Sequence, residues 1–304
     1  MQASFAGRRW TFVGAVTAIV GLALALLPYS AQAAQEKIEK GDFLRFINCP
    51  TVTEVSPGAP PPVAPGCTYD ETLSGEFKMG TKNVPITNPV IMQGGVAELN
   101  DFTEKPASLI APRFNVPALS PTSQPIPGGL TGVTEILGGP ASATAELAGP
   151  VSGITFTPVN LLSTEGIAVE LPIKVHLENE LLGPNCYIGS DSEPVVLKLT
   201  DGENGSRGEP EGHDRGRITE FKGITLVDNK FAVPAAKGCG TSALEEPIIT
   251  ELVNVAAGLP SGEGKNSAEL TGNLYISFAS WVAKYDKGAI AKKEKELAGG
   301  KKGK

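Results

Sequence analysis

Residues 165–179, E-G-I-A-V-E-L-P-I-K-V-H-L-E-N, carry the clearest strand pattern in the chain. Every odd position from Ile167 to Leu177 is apolar, and most even positions between them are polar. This period of two predicts a β-strand with one face on a core and the other toward water. Because Pro172 cannot donate a ladder hydrogen bond, we expect an edge strand or a bulge there. The polar residues that would protect such an edge are Lys174, His176 and Glu178.

Other parts of the chain repeat this kind of pattern in shorter form. The chain has 36 glycines and 25 prolines, and many of them lie in predicted turns between these strand segments. Many short strands joined by such turns predict an all-β fold of β-sandwich-like antiparallel sheets. Strand patterns in the second half cover 143–148, 154–159, 167–177, 194–199, 223–228 and 269–278. One short helix is predicted at about 245–257, with Pro247 in its first turn and Gly258 at its end.

The N-terminal segment has the features of a signal peptide. Arg8 and Arg9 precede an uncharged apolar run at 12–27, and an A-Q-A motif follows at 31–33. This order predicts a signal peptide at 1–33, cleaved near Ala33, and a secreted or cell-surface protein. The run is shorter than the ~20 residues of a membrane-spanning helix. The residues after the arginine pair, W-T-F, fit the twin-arginine pattern poorly, so we favour ordinary secretion.

Charge divides the remaining chain into two parts. Residues 284–304 hold eight lysines and three acids, a net charge of +5, and the signal segment carries two arginines. Because the whole chain has a net charge of −7, the residues between these two segments have a net charge of about −14. Residues 34–283 therefore form an acidic all-β domain, or two subdomains with a boundary near 141, that is not suited to nucleic acid. The basic tail is either a flexible solubilising end or a contact to an anionic cell-wall polymer or membrane surface. No second long apolar run exists, so we predict no transmembrane span in the mature chain.

The four cysteines all follow the signal segment. They are Cys49, Cys67, Cys186 and Cys239. An even count in an exported chain predicts two disulfides. Of the three possible pairings we favour Cys49–Cys67, which closes a proline-rich loop, and Cys186–Cys239. A zinc site is not favoured, because no C-x-x-C spacing or nearby histidine is present.

Few residues suit catalysis. Of the two histidines, His176 has no candidate nucleophile in its own segment and His213 lies in a polar insertion between two strands; the chain has no G-x-S-x-G motif. The only tryptophan after the signal segment is Trp281, so rings that could stack on a sugar are scarce. We therefore predict no catalytic residue and lean toward a protein that is not an enzyme.

The polar loop at 201–217 is a candidate calcium site. Its carboxylates Asp201, Glu203 and Asp214 are the oxygen ligands that calcium prefers. Gly205 stands where an EF-hand has an acid or amide, so the loop does not match that motif. The alternative is a solvated hairpin loop. Apart from calcium, no cofactor is predicted.

Three blocks give the chain a family resemblance. They are L-P-I-K-V-H-L-E-N at 171–179, L-L-G-P-N-C-Y-I-G-S at 181–190 and L-V-D-N-K-F-A-V-P-A-A-K-G-C-G at 226–240. With these blocks, the chain resembles a group of uncharacterised secreted β-rich proteins of high-GC Gram-positive bacteria over roughly 43–278. The resemblance implies a secreted, disulfide-bearing β body. That group has no assigned activity, so no site residue carries over.

Two functions remain open. The first is an exported non-enzymatic protein of the cell envelope or secreted fraction, with a binding or structural role. The second is a secreted hydrolase that uses paired carboxylates or a calcium-dependent site in the 201–217 loop.

Overall fold

The computed structural model describes residues 43–50, 54, 65–97, 99, 105–130, 140–285 and 287–300. The predicted signal peptide at 1–33 and its cleavage near Ala33 lie outside the described residues. None of the helices within the described ranges is long and apolar enough to cross a membrane.

The described chain is mostly antiparallel β-structure, which confirms the all-β prediction. The strands are β1 Gly66–Met79, β2 Lys82–Pro85, β3 Val90–Val96, β4 Ala107–Ile110, β5 Ser123–Pro125, β6 Ser142–Leu147, β7 Thr155–Phe156, β8 Val169–Glu178, β9 Tyr187–Ile188, β10 Val195–Leu199, β11 Glu209–His213, β12 Ile218–Asp228, β13 Ala236–Lys237 and β14 Ser267–Phe278. The helices are α1 Pro158–Ser163, α2 Glu246–Ala257, α3 Ala279–Tyr285 and α4 Lys287–Gly300, and short 3-10 turns lie at Leu44–Phe46 and Val151–Gly153.

Helix α2 confirms the helix predicted at about 245–257. Gly258 ends it in the left-handed conformation at φ 66°, a backbone geometry that glycine adopts without steric cost. The other three helices were not predicted. Helix α1 begins at Pro158, within the segment 154–159 for which the sequence predicts a strand. Helix α4 lies within the basic tail.

The strands form two layers with the core between them. The first layer has the order β11-β12-β14-β1-β3-β4, with β2 also on β1. In the second layer β7 and β6 pair one after the other with one edge of β8, and β5 continues from β6; β10 and the β9–β13 pair lie on the other edge of β8. Strand β4 joins the layers on one side, because it pairs with both β3 and β7. On the other side, an isolated bridge between Thr200 and Val227 connects β10 to β12.

The opening stretch forms β8, which is a central strand. The prediction of an edge strand at Pro172 is wrong, because β10 pairs with one side of β8 while β7 and β6 pair with the other. The carbonyl of Pro172 accepts from the N–H of Ala148, the residue after β6, so the proline nitrogen faces the same side. The missing N–H therefore falls between the β6–β8 ladder, which ends at Ile173, and the β7–β8 ladder, which begins at Glu170, and it interrupts neither ladder in its middle.

The polar face of β8 is engaged by neighbours. Lys174 forms an ion pair with Asp191 at 2.9 Å, and the ring of His176 stacks on Tyr187 with centroids 4.5 Å apart. Three hydroxyls donate to the carboxylate of Glu178; they belong to Ser123, Ser142 and Thr144. These residues are therefore a hydrogen-bonded outer surface of a central strand and not the free rim of an edge.

Two bulges bend the first layer at the same level. The register of β14 shifts against β1 between Thr72 and Ser74, and against β12 between Lys222 and Ile224. Both shifts lie beside Gly272, where a Cβ would overlap the carbonyl oxygen of Glu71. Bulges bend strands and increase their twist, and glycine permits the close approach. The layer consequently curves around the space between the sheets.

Both disulfides form as predicted. Cys49 is bonded to Cys67 and Cys186 to Cys239, so all four cysteines are used. The first bond fastens the segment before β1 to that strand. The second connects the start of β9 to the turn after β13, two strands that also pair with each other.

One main hydrophobic core spans the chain on both sides of residue 141. It includes Met92 and Leu109 before that point, and Ile173, Leu197 and Leu226 after it. A smaller cluster covers the outer face of the first layer, and its buried members are Phe43, Phe46, Cys67, Ile218, Tyr275, Ala279 and Val282. This second cluster holds the N-terminal turn and α3 against the sheet.

Candidate functional site

The main feature of the interior is a cavity between the two layers. Its volume is about 80 Å³. One water needs roughly 10–15 Å³, so the space is large enough for more than a single water. The cavity follows β8 from Val169 to Val175, which is about 20 Å at ~3.3 Å per residue. An elongated rather than compact molecule fits this shape.

The odd-numbered face of the opening stretch forms one wall. Val169, Leu171, Ile173 and Val175 of β8 all line the cavity. The facing wall from the first layer includes Ile224, Leu226 and Leu270. The alternation that predicts a core face is therefore confirmed, and part of that face borders free space.

Small residues leave this space open. Ala143 and Ala145 of β6 and Gly272 of β14 line the cavity, and Gly272 also lies where the first layer bends. Protein interiors are normally close-packed, and a void costs about 24 cal/mol per Å³. By that measure the cavity costs on the order of 2 kcal/mol of stability. An apolar ligand would recover part of this cost by filling the void.

Asp70 is the only ionisable group among the described residues that line the cavity. It is 7% exposed and lies on β1 between Met92 of β3 and Leu274 of β14. The pKa of this carboxyl is raised to about 7: burial has the largest effect, the charge of Glu71 adds to it, and a hydrogen bond from Thr72 opposes it. Near neutral pH the group can therefore be either a neutral acid or a carboxylate.

One buried polar group on β1, near Asp70, is unsatisfied. Thr68 is two residues away on the same face of β1, and its buried hydroxyl has no hydrogen-bond partner among the described residues. The amide of Gln124, by contrast, accepts from Thr87 and bonds to Asn88. The unpaired hydroxyl of Thr68 thus lies on the same strand as Asp70, but Thr68 is not one of the residues that line the cavity.

Another cluster of titratable groups lies on the outer face of the first layer. Glu211, His213 and Glu220 place their ligand atoms within 4.8 Å of one another. His213 Nε2 lies 2.6 Å from Glu220 Oε2, the Tyr275 hydroxyl also bonds to Glu220, and Arg45 stacks 3.5 Å from the Tyr275 ring centroid. Burial raises the pKa of Tyr275, and its bond to Glu220 adds to this. His213 and Tyr275 are both hydrogen-bonded to Glu220, and the cluster lies away from the cavity.

The structure does not bring the three calcium candidates together. Within the described chain, Glu211, His213 and Glu220 are the only group of three such side chains close enough to share one ion. Asp214 pairs with Arg217 at 3.1 Å, and Glu203 is exposed. Asp201 is buried, its carboxylate oxygens have no hydrogen-bond partner among the described residues, and burial raises its pKa. Calcium binding stays a prediction without a shared coordination site in this loop.

Comparison of the chain with protein-family models, with curated proteins and with solved structures found no match. The resemblance to secreted β-rich proteins therefore stays a prediction, and the site is interpreted from its own residues.

Proposed function

We propose that this protein is an exported binding protein for a small apolar molecule, which it holds between its two layers. The observation that carries the proposal is the apolar cavity along β8, with a buried carboxyl on β1. Two disulfides favour an oxidising, extracytoplasmic location, as does the predicted signal peptide. Binding without turnover also fits the shortage of catalytic groups in the sequence.

The energetics favour an apolar ligand. Burial of apolar surface contributes roughly 25 cal/mol per Å², and empty apolar cavities bind small apolar molecules. The walls supply branched aliphatic side chains from four or more strands, which give contact without fixed polar geometry. We therefore expect the protein to accept a range of chain-like molecules that differ in detail.

The hydrolase alternative has less support. Glu211 and Glu220 are a facing carboxylate pair on β11 and β12, and they lie on the outer face of the first layer and away from the cavity. Glu220 is already bonded to His213 and Tyr275. Retention at an anionic surface through the lysine-rich tail stays a separate prediction.

Filling the cavity should weaken ligand binding. We expect Ala145→Leu to weaken the binding of N-phenylnaphthylamine, a neutral apolar fluorophore, by about tenfold or more, because the added carbons occupy the ligand's space. Fluorescence titration of the purified mature protein measures this. Ala283→Leu, at an exposed position of α3, is the matched control and should bind like wild type. Equal binding by all three proteins, or no binding by wild type, would contradict the proposed function.

A further inference from the structure

We propose that Glu211, His213 and Glu220 form a binding site for one divalent transition-metal ion, with zinc as the ion that tests it. The site lies on the outer face of the first layer, and none of its three residues is among the described residues that line the cavity. The inference therefore goes beyond the proposed function and does not depend on it. It comes from the way in which the β11–β12 hairpin brings three metal-ligating side chains to one face of the sheet.

The first step concerns the register of the hairpin. Glu211 of β11 lies directly opposite Glu220 of β12, and His213 follows Glu211 by two residues. Residues opposite each other in an antiparallel pair, and residues two apart along one strand, point to the same face of the sheet. The ligand atoms of the three side chains consequently lie within 4.8 Å of one another. Backbone pairing, and not a loop, holds this set together.

The second step concerns charge. Like charges directly opposite each other on neighbouring strands destabilise a sheet, so the facing pair Glu211 and Glu220 needs an explanation. The next pair on the same face, Glu209 and Lys222, has opposite charges and needs none. His213 forms an ion pair with Glu220 only when it is protonated, and it can then balance one of the two negative charges at most. A divalent cation between the two carboxylates would balance both and turn their repulsion into attraction.

Burial strengthens this argument. Glu220 is 8% exposed, and a buried carboxylate that has lost its hydration needs a compensating partner. The Tyr275 hydroxyl on β14, the next strand of the layer, is hydrogen-bonded to Glu220. Such outer bonds orient the ligating carboxylates of metal sites. Glu220 is therefore held in place from behind, with its other contacts on the side of Glu211 and His213.

The third step concerns the kind of ion. Imidazole nitrogen and carboxylate oxygen together are typical ligands of zinc, whereas calcium and magnesium prefer oxygen ligands alone. Zinc bonds of about 2.0–2.2 Å in a tetrahedral arrangement place two ligand atoms about 3.3 Å apart. His213 Nε2 and Glu220 Oε2, now 2.6 Å apart, would thus separate by less than about 1 Å. The metal would take the place of the hydrogen between them, and the imidazole would carry its N–H on Nδ1. Because Glu211 is exposed, its side chain can turn toward the ion and water can complete the coordination.

The test measures the zinc affinity of the purified mature protein, after treatment with a chelator, by competition with a chromophoric zinc indicator. We expect wild type to bind one zinc ion, and Glu211→Gln and His213→Gln to bind it at least about tenfold more weakly. Glu209→Gln, on the same face of β11, is the matched control and should bind like wild type. Zinc should also raise the urea midpoint of wild type and of Glu209→Gln, and it should leave that of Glu211→Gln unchanged.

Each other outcome counts against the site. No zinc binding by wild type at micromolar concentrations would overturn the proposal, and so would equal affinity of wild type, Glu211→Gln and His213→Gln. An equal loss in Glu209→Gln would show a general effect of surface charge and no specific site. Displacement of zinc by millimolar calcium would indicate a site of oxygen ligands and would also contradict the assignment. Circular dichroism of the variants checks that they are folded, which we expect because Glu211 and Glu209 are exposed.

Discussion

Replacing Asp70 with asparagine should raise the free energy of unfolding by up to about 4 kcal/mol at alkaline pH and change it little below about pH 4. The folded protein raises the pKa of this carboxyl from 3.8 to about 7. Each unit of pKa shift corresponds to about 1.4 kcal/mol, and a shift of about three units gives the expected size. Asparagine has almost the same shape and carries no charge, so it isolates this effect.

The sign follows from proton binding. Between about pH 4 and 7 the folded protein holds a proton on Asp70 that the unfolded chain has released. The contribution of this group to stability is therefore fully present below the unfolded pKa and is lost as pH rises through the folded pKa. Urea unfolding of both proteins across this range gives the difference in free energy, in which the other titrating groups cancel. A difference that does not change with pH would contradict the burial of Asp70 in an apolar cavity.

Removing the disulfide between Cys186 and Cys239 should cost about 4 kcal/mol of stability in the chain-entropy model. The bond closes a loop with a sequence separation of 53, and the unfolded chain gains more freedom when a longer loop is released. The variant Cys186→Ala/Cys239→Ala unfolds at a correspondingly lower urea concentration, and the measurement is equilibrium unfolding under oxidising conditions.

The other disulfide provides a matched control. Cys49→Ala/Cys67→Ala opens a loop with a separation of 18, and we expect it to cost about 3 kcal/mol. This bond holds the N-terminal turn and lies in the outer cluster, so the cavity stays intact in that variant. A larger loss in this control than in the Cys186/Cys239 variant would contradict the entropic account.

The strand pattern of the sequence predicts much of the fold. The alternation at 165–179 correctly identifies β8 and its core face, and the cysteine count with the proline-rich loop leads to both disulfides. The position of β8 within its layer was missed, because Pro172 is compatible with a central strand only where the neighbouring strands leave a gap. That gap is set by where β6 ends and β7 begins, and no local signal in 165–179 reports it.

Helix α2 shows a similar limit. The helical periodicity of the sequence puts Ile248, Ile249, Leu252, Val253 and Ala256 on one face. Ile248 and Leu252 are nevertheless 64% and 41% exposed, while Val253 and Ala257 are buried. The apolar side chains span a wider part of the helix surface than the part that packs on the core. Periodicity alone therefore does not show which of these side chains are buried. Helix α4 was not predicted for another reason. Lysine and glutamate favour helices, but they are equally common in disordered, solvated segments.

The candidate site could not be predicted from the sequence. The cavity depends on two bulges and on small residues from different strands, such as Ala145 and Gly272, which meet only in the folded chain. Asp70 lies in C-T-Y-D-E-T, where no apolar alternation indicates that its side chain points inward. The outer cluster of Glu211, His213 and Glu220 likewise forms by pairing of β11 with β12.

The central claim is that the space between the layers binds an apolar molecule, and methionine methyl NMR tests it most directly. The chain has three methionines; Met79 and Met92 line the cavity, and Met1 belongs to the predicted signal peptide. With methyl-labelled methionine in the mature protein, titration with decanol should shift both signals and give nuclear Overhauser contacts from the decyl chain to both methyl groups. Unchanged Met79 and Met92 signals up to the solubility limit of decanol would contradict the account.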